Sequence, residues 1–147
     1  MCDYCGCRRS GPTAELAREH VELRELSDQI SDALQDGREL GELWAHFVRL
    51  LEVHSAKEEI GLFVHAREHP ALSPQIDDLC SEHDDLRTWL ANGPGGPRVM
   101  EALRLLVTHI DDEEYDLFPH VFHQLDPEQW DEIELAHRAI EEAWAAA

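Results

Sequence analysis

Apolar residues recur along this chain at alternating steps of three and four, the spacing that lines one face of an α-helix. Leu16, His20, Leu23, Ser27, Ile30 and Leu34 form the first stripe, which predicts a helix from Thr13, a candidate cap after Gly11-Pro12, to Gln35. Asp36-Gly37 makes a turn, and a second stripe follows: Leu40, Leu43, Phe47, Leu50, Leu51, His54, Glu58, Leu62 and His65. It predicts a helix over 39–68, closed off by Pro70. Ser73-Pro74 reads as a cap and first-turn proline for a third helix over 73–91, with Ile76, Leu79, His83, Leu86 and Leu90 inward. Asn92-Gly93 and the Gly-Pro stretch to Pro97 break the chain. Val99, Leu103, Leu106, His109, Glu113, Leu117 and His120 then line a fourth helix over 98–124. Asp126-Pro127, with Gln129 placed to complete a capping box, opens a short fifth helix along Trp130, Ile133, Ala136, His137, Ile140 and Trp144. No segment alternates as a strand does. The expected fold is all-α: a Cys-rich tail over residues 1–12, then an up-down-up-down four-helix bundle over 13–147 with the fifth helix laid on its outside.

The inward stripes are not purely apolar, and their polar members repeat. The segment from His54 through Glu58, Leu62 and Phe63 is answered by the segment from His109 through Glu113, Leu117 and Phe118. Each copy sets a His and a Glu at i and i+4, so both side chains leave one helix face a turn apart. A second pair of segments, around His20 and His83, repeats as well, each with a Glu just before the His and an Arg one turn after it. The chain therefore reads as two related halves that together offer four His and two Glu, the inventory of a two-metal site. At about 1.5 Å per residue from the turns, His20, His54 and Glu58 fall within about a turn of one level. The Gly-Pro loop absorbs the mismatch for His83, His109 and Glu113. A carboxylate buried without a partner costs several kcal/mol, a large share of the roughly 5–15 kcal/mol by which a domain is stable. Coordination removes that cost. Two His per ion with shared carboxylates and open positions favours iron, with manganese or zinc less favoured. The competing reading is a set of core histidines satisfied by ordinary contacts.

Composition supports metal and narrows the partners. A formal charge of −20 over 147 residues argues against nucleic acid and anionic membrane surfaces. The chain has ten His beside only twelve Lys and Arg, and His is the commonest metal ligand. There is neither an apolar run of membrane-spanning length nor a secretory leader pattern, and the expected location is cytoplasmic. Cys2, Cys5 and Cys7 stand too close together to staple the fold. They are either a metal-binding or redox tail, open to a protein partner, or plain thiols.

Four helices carrying His, His-x-x-x-Glu, His and His-x-x-x-Glu, with Leu-Phe after each Glu, resemble the hemerythrin-like (HHE cation-binding) family over about residues 13–145. The resemblance implies two iron ions with an oxo or hydroxo bridge, His20, His54, His83 and His109 as terminal imidazoles, and Glu58 and Glu113 as bridging carboxylates. It implies binding or reaction with O2, hydrogen peroxide or nitric oxide, or else an iron sensor, store or donor. The marine oxygen carriers have a fifth His where this chain has Arg87, and an Asp where it has Glu113. The pattern is closer to the bacterial iron-centre repair proteins and to the hemerythrin domain of the mammalian F-box iron sensor.

Other residues have two readings each. Glu59 and Glu114 follow the proposed bridges about 100° around the helix, either solvated or in contact with the ligands. Glu19, Glu82, Arg24 and Arg87 are outer contacts or surface charge, and Arg87 is a candidate for tuning bound peroxide. His65 and His120 lie about 10 Å along the helix from the glutamates, too far to join the same site. Outer, channel or second-metal roles remain for them. Cys80 is expected as a small core residue, and His46, His69, His123 and His137 as structural or exposed.

Overall fold

The computed structural model describes residues 11–147, and all the regular structure among the described residues is helical. In chain order the elements are α1 (Gly11–Gln35), α2 (Leu43–Lys57), a π-helical turn π1 (Glu58–Leu62), α3 (Phe63–Ala66), α4 (Ser73–Leu90), α5 (Val99–Asp112), a second π-helical turn π2 (Glu113–Leu117), α6 (Phe118–Gln124) and α7 (Pro127–Ala145). Among the described residues no helix is long and apolar enough to cross a membrane.

The predicted helices are present, with shifted ends. Thr13 lies buried inside the first turn of α1 rather than capping it. The second helix starts at Leu43, not at 39, because Gly37 (φ 66) and Gly41 (φ 55) hold the left-handed conformation that only glycine adopts cheaply. Ser73 is the first helical residue of α4 and makes no capping bond. The fourth helix begins at Val99. The fifth is not short. With 19 residues α7 outruns the 18 of α4, and its Asp126–Gln129 capping box forms as the sequence predicts.

The second and fourth helices were expected to be continuous, and neither is. In π1 the Phe63 N–H donates to the Glu58 carbonyl, and in π2 the Phe118 N–H donates to the Glu113 carbonyl, each five residues back. Both π turns begin on a predicted site glutamate. A π turn inserts one residue into the α register, and each residue rotates the following side chains by about 100°. His65 and His120 were placed inward by an unbroken helical count, but Ala66 and Val121 take the fully buried positions instead. His65 is left half-buried and His120 exposed.

The apolar core is divided in two. One cluster holds Leu16, Leu62, Phe63, Ile76, Leu79, Leu117, Phe118 and Ile133. The other holds Leu23, Ile30, Phe47, Leu51, Leu86, Val99, Leu106 and Ile110. The six predicted site residues fall between the clusters on every helix that carries them: His20 between Leu16 and Leu23, His54 and Glu58 between Leu51 and Leu62, His83 between Leu79 and Leu86, His109 and Glu113 between Leu106 and Leu117. A buried polar layer is thus sandwiched by apolar packing.

Candidate metal centre

The layer brings together all six residues, one each from α1 and α4 and a His-Glu pair from each of the other two stripes. His20 Nε2 and His54 Nε2 are 3.0 Å apart, and His83 Nε2 and His109 Nε2 are 3.1 Å apart. Each glutamate reaches both pairs. Glu58 Oε1 lies 3.0 Å from His54 Nε2 and 3.4 Å from His83 Nε2. Glu113 Oε1 lies 2.8 Å from His109 Nε2 and 3.6 Å from His20 Nε2. Each carboxylate therefore sits between its own helix's His and a His of the other half.

A ring of carboxylates holds the far side of the imidazoles. His54 Nδ1 donates to Glu19 Oε1 at 2.9 Å, His83 Nδ1 to Glu59 Oε1 at 2.9 Å, and His109 Nδ1 to Glu82 Oε1 at 3.3 Å. His20 Nδ1 lies 3.7 Å from Glu114 Oε1. Each of these glutamates is the sequence neighbour of a site residue, yet serves the His of another helix. A proton fixed on Nδ1 leaves the Nε2 lone pair facing inward, the tautomer a metal needs. The repeated phenylalanines serve the same end: Phe118 stacks on His20 (ring centroids 5.6 Å, 6° apart) and Phe63 on His83 (5.8 Å, 14°).

The electrostatics are those of a cation site. Burial pushes the Glu58 carboxyl up, but the charge of His54 and then the contact with His83 outweigh it and hold it well below the usual range. Burial draws His54 down, yet Glu58 and Glu19 raise it to about 9. Burial dominates at His20 and His109 and lowers both. All four carboxylate oxygens of Glu58 and Glu113 are buried with no donor in hydrogen-bonding geometry. Groups so placed are rare unless an ion completes them. The donors also group as metal ligands do: His20, His54, Glu58 and Glu113 in one set, Glu58, His83 and His109 in the other, each with its ligand atoms within 4.8 Å of one another. Imidazole and carboxylate donors in this ratio fit a first-row metal such as iron.

A family profile for the hemerythrin HHE cation-binding domain matches residues 11–121. The chain belongs to the hemerythrin family. No curated protein and no solved structure matches it significantly. The hemerythrin match ends within α6, so α7 lies outside it.

Within this hemerythrin domain the other predicted residues divide. Glu114, for which solvation was one reading, is 5% exposed and turned in by π2. Arg87 is half exposed and does not reach the imidazoles. Its Nη2 donates to both oxygens of Glu59 at 2.9 and 2.8 Å, and so braces His83 at one remove. His65 Nε2 pairs with Glu132 of α7 at 3.2 Å. His120 faces Asp116 on the rim of a cavity of about 790 Å³, whose lining meets the centre's surroundings at Glu82. Cys80 is half-buried rather than fully in the core. Cys2, Cys5 and Cys7 lie outside the described residues.

Lys57 was missed. It is 1% exposed, and its ammonium donates to Glu15 at 2.6 Å, to Glu19 at 2.5 Å and to Glu141 of α7. Through Glu19 it steadies the His54 ring. It also fills a third acidic cluster, Glu15, Glu19 and Glu141, which therefore already holds a cation. The only signal in the sequence was a lysine immediately before a site glutamate. His137, expected as structural or exposed, is structural: it is buried against Gly61 of π1, where an added Cβ would lie 2.7 Å from its ring.

Proposed function

We propose that this chain is a non-haem di-iron protein that binds or reacts with O2, peroxide or nitric oxide. The observation that carries the reading is the pair of buried carboxylates, Glu58 and Glu113, each lying between two inward-facing imidazole nitrogens with no hydrogen-bond donor of its own. Iron there would supply redox chemistry and open positions for a small ligand. The chain's residues do the rest. His20, His54, His83 and His109 present Nε2, Glu58 and Glu113 would hold the metal through their carboxylates, the ring of Glu19, Glu59, Glu82 and Glu114 fixes the imidazoles, and two apolar clusters exclude water on either side. Each stripe runs from one cluster to the other in alternating order along the chain, which supports an up-down-up-down arrangement of the four site helices. Arg87 in place of a fifth His, and Glu113 in place of an Asp, support kinship with the bacterial iron-centre repair and iron-sensing domains over the marine oxygen carriers. We place the protein in the cytoplasm, with neither nucleic acid nor membrane as partner. The Cys tail is proposed as a contact for another protein.

A second reading, an iron sensor, store or donor, is favoured by the same buried carboxylates, because a fold that leaves them uncompensated gains stability from metal. Metal analysis with an optical spectrum, before and after air and peroxide, is the first test. Two irons per chain with near-ultraviolet oxo-bridge absorption support the centre, and zinc alone with no spectrum refutes it. Repeated turnover of peroxide or nitric oxide then favours the first reading. A large iron-dependent rise in Tm without turnover favours the second.

A further inference from the structure

The two halves of the bundle do not give the centre the same access. A cavity of about 250 Å³ lies between α2 and α4, with Glu52, Arg87 and Ala91 at its exposed rim and Leu86, Ser55 and His83 at its buried end. One wall is thus a site imidazole. The internal repeat predicts a matching cleft between α1 and α5, in which Leu106 answers Leu51, Leu23 answers Leu86, Arg24 answers Arg87 and Ile110 answers Ser55. That cleft exists, at about 370 Å³, but it is lined by Ser27, Leu103 and Val107 and includes no site residue. Its deep end is filled. Ile110 is fully buried in the core with Leu23 and Leu106, where the other half has only a serine hydroxymethyl, and Arg24 is tied across to Asp111.

We infer that small uncharged molecules reach the His83/His109 side of the centre through the α2–α4 cleft, and that Ser55 is the residue that keeps it open. The inference rests on the di-iron reading. Walls of leucine and valine side chains solvate a neutral diatomic well and an anion badly, and a chain of charge −20 repels anions before they arrive. The cleft therefore suits O2 or nitric oxide over azide or another small anion. Ile110 closes the equivalent route to His20, so the duplicated halves are functionally unequal.

Two readouts on the full chain test this. Xenon-pressurised crystals, with metal content measured on the same batch, are expected to show xenon between Ser55 and His83 in the wild type and none in Ser55→Ile. Apolar cavities of roughly 150 Å³ take up xenon. In iron-loaded protein, stopped-flow association of nitric oxide is expected to slow about tenfold or more in Ser55→Ile, at unchanged iron content. Ala91→Trp, at an exposed rim position where folding is not at stake, is expected to slow it likewise. Thr108→Trp, on the rim of the other cleft, is expected to leave the rate alone. Wild-type crystals without xenon in the cleft, or equal association rates in all four proteins, overturn the inference. Failure of the iron-loaded wild type to bind nitric oxide sinks the di-iron reading, while xenon beside His83 in that same protein still marks this cleft as the way in.

Discussion

Metal binding is expected to release protons, and the release traces to His54. In the metal-free protein burial draws its imidazole down, but Glu58 at 3.0 Å and Glu19 at 2.9 Å outweigh burial and push it up to about 9. His83 is raised in the same way, by Glu58 and Glu59 against burial. His20 and His109, lowered by burial, carry no proton to lose near pH 7. A cation at Nε2 requires the neutral ring. At pH 7, about two units below the His54 value, removing the proton costs about 2.7 kcal/mol, so binding is roughly 100-fold weaker than above pH 9. Affinity should therefore rise about tenfold per pH unit over that window and then level off. Titration calorimetry with zinc(II), a redox-silent probe, in buffers of different ionisation enthalpy counts the protons directly: at least one near pH 7, falling away as pH approaches 9. Affinity that is flat across the window, with no proton release, would refute the reasoning. The same imidazolium stabilises the metal-free fold, since a raised pKa gives stability that is complete below the ordinary value of 6.5 and lost as pH rises through about 9.

Glu113→Gln keeps the shape and removes the charge. It is expected to lose metal and its spectrum while the metal-free protein melts no lower, because a buried carboxylate without a hydrogen bond has been neutralised; wild-type metal content in this variant would contradict its role as a ligand. Gly61→Ala should gain about 1 kcal/mol of helix propensity but lose about 1–3 kcal/mol by overpacking His137. Denaturant unfolding should show it destabilising in the wild type and stabilising in a His137→Ala background, and the same sign in both would sink the contact. Lys57→Met strands three carboxylates around a buried position and is expected to cost about 3 kcal/mol. At a few degrees per kcal/mol that lowers Tm by roughly 10 °C, and a change under 2 °C would show the network to be dispensable.

The sequence by itself determined the helices and which polar residues share the buried layer. Period fixes which residues share a face, so the stripes through His20, His54, His83 and His109 named the buried layer before any contact was known. Energetics pointed the same way, since a carboxylate buried without a partner, as at Glu58 or Glu113, is costly unless a cation offsets it. The capping box at Asp126 was equally legible, because it is a purely local hydrogen-bond pattern. What the sequence did not determine is everything that depends on which helix lies next to which. Glu19 stands beside His20 but serves His54, and Glu82 stands beside His83 but serves His109; chain adjacency says nothing of reach across a groove. The π turns broke the count after Glu58 and Glu113, so His65 and His120 were placed inward and Ala66 and Val121 were found there. No local residue pattern announces an inserted turn whose wider backbone is held by packing on both sides. Lys57 reads as a surface residue until α7, carrying Glu141, is laid over it. The difference between Ser55 and Ile110 becomes a difference in access only when two helices meet around each, for a cavity belongs to the packing of several elements and to none of them alone.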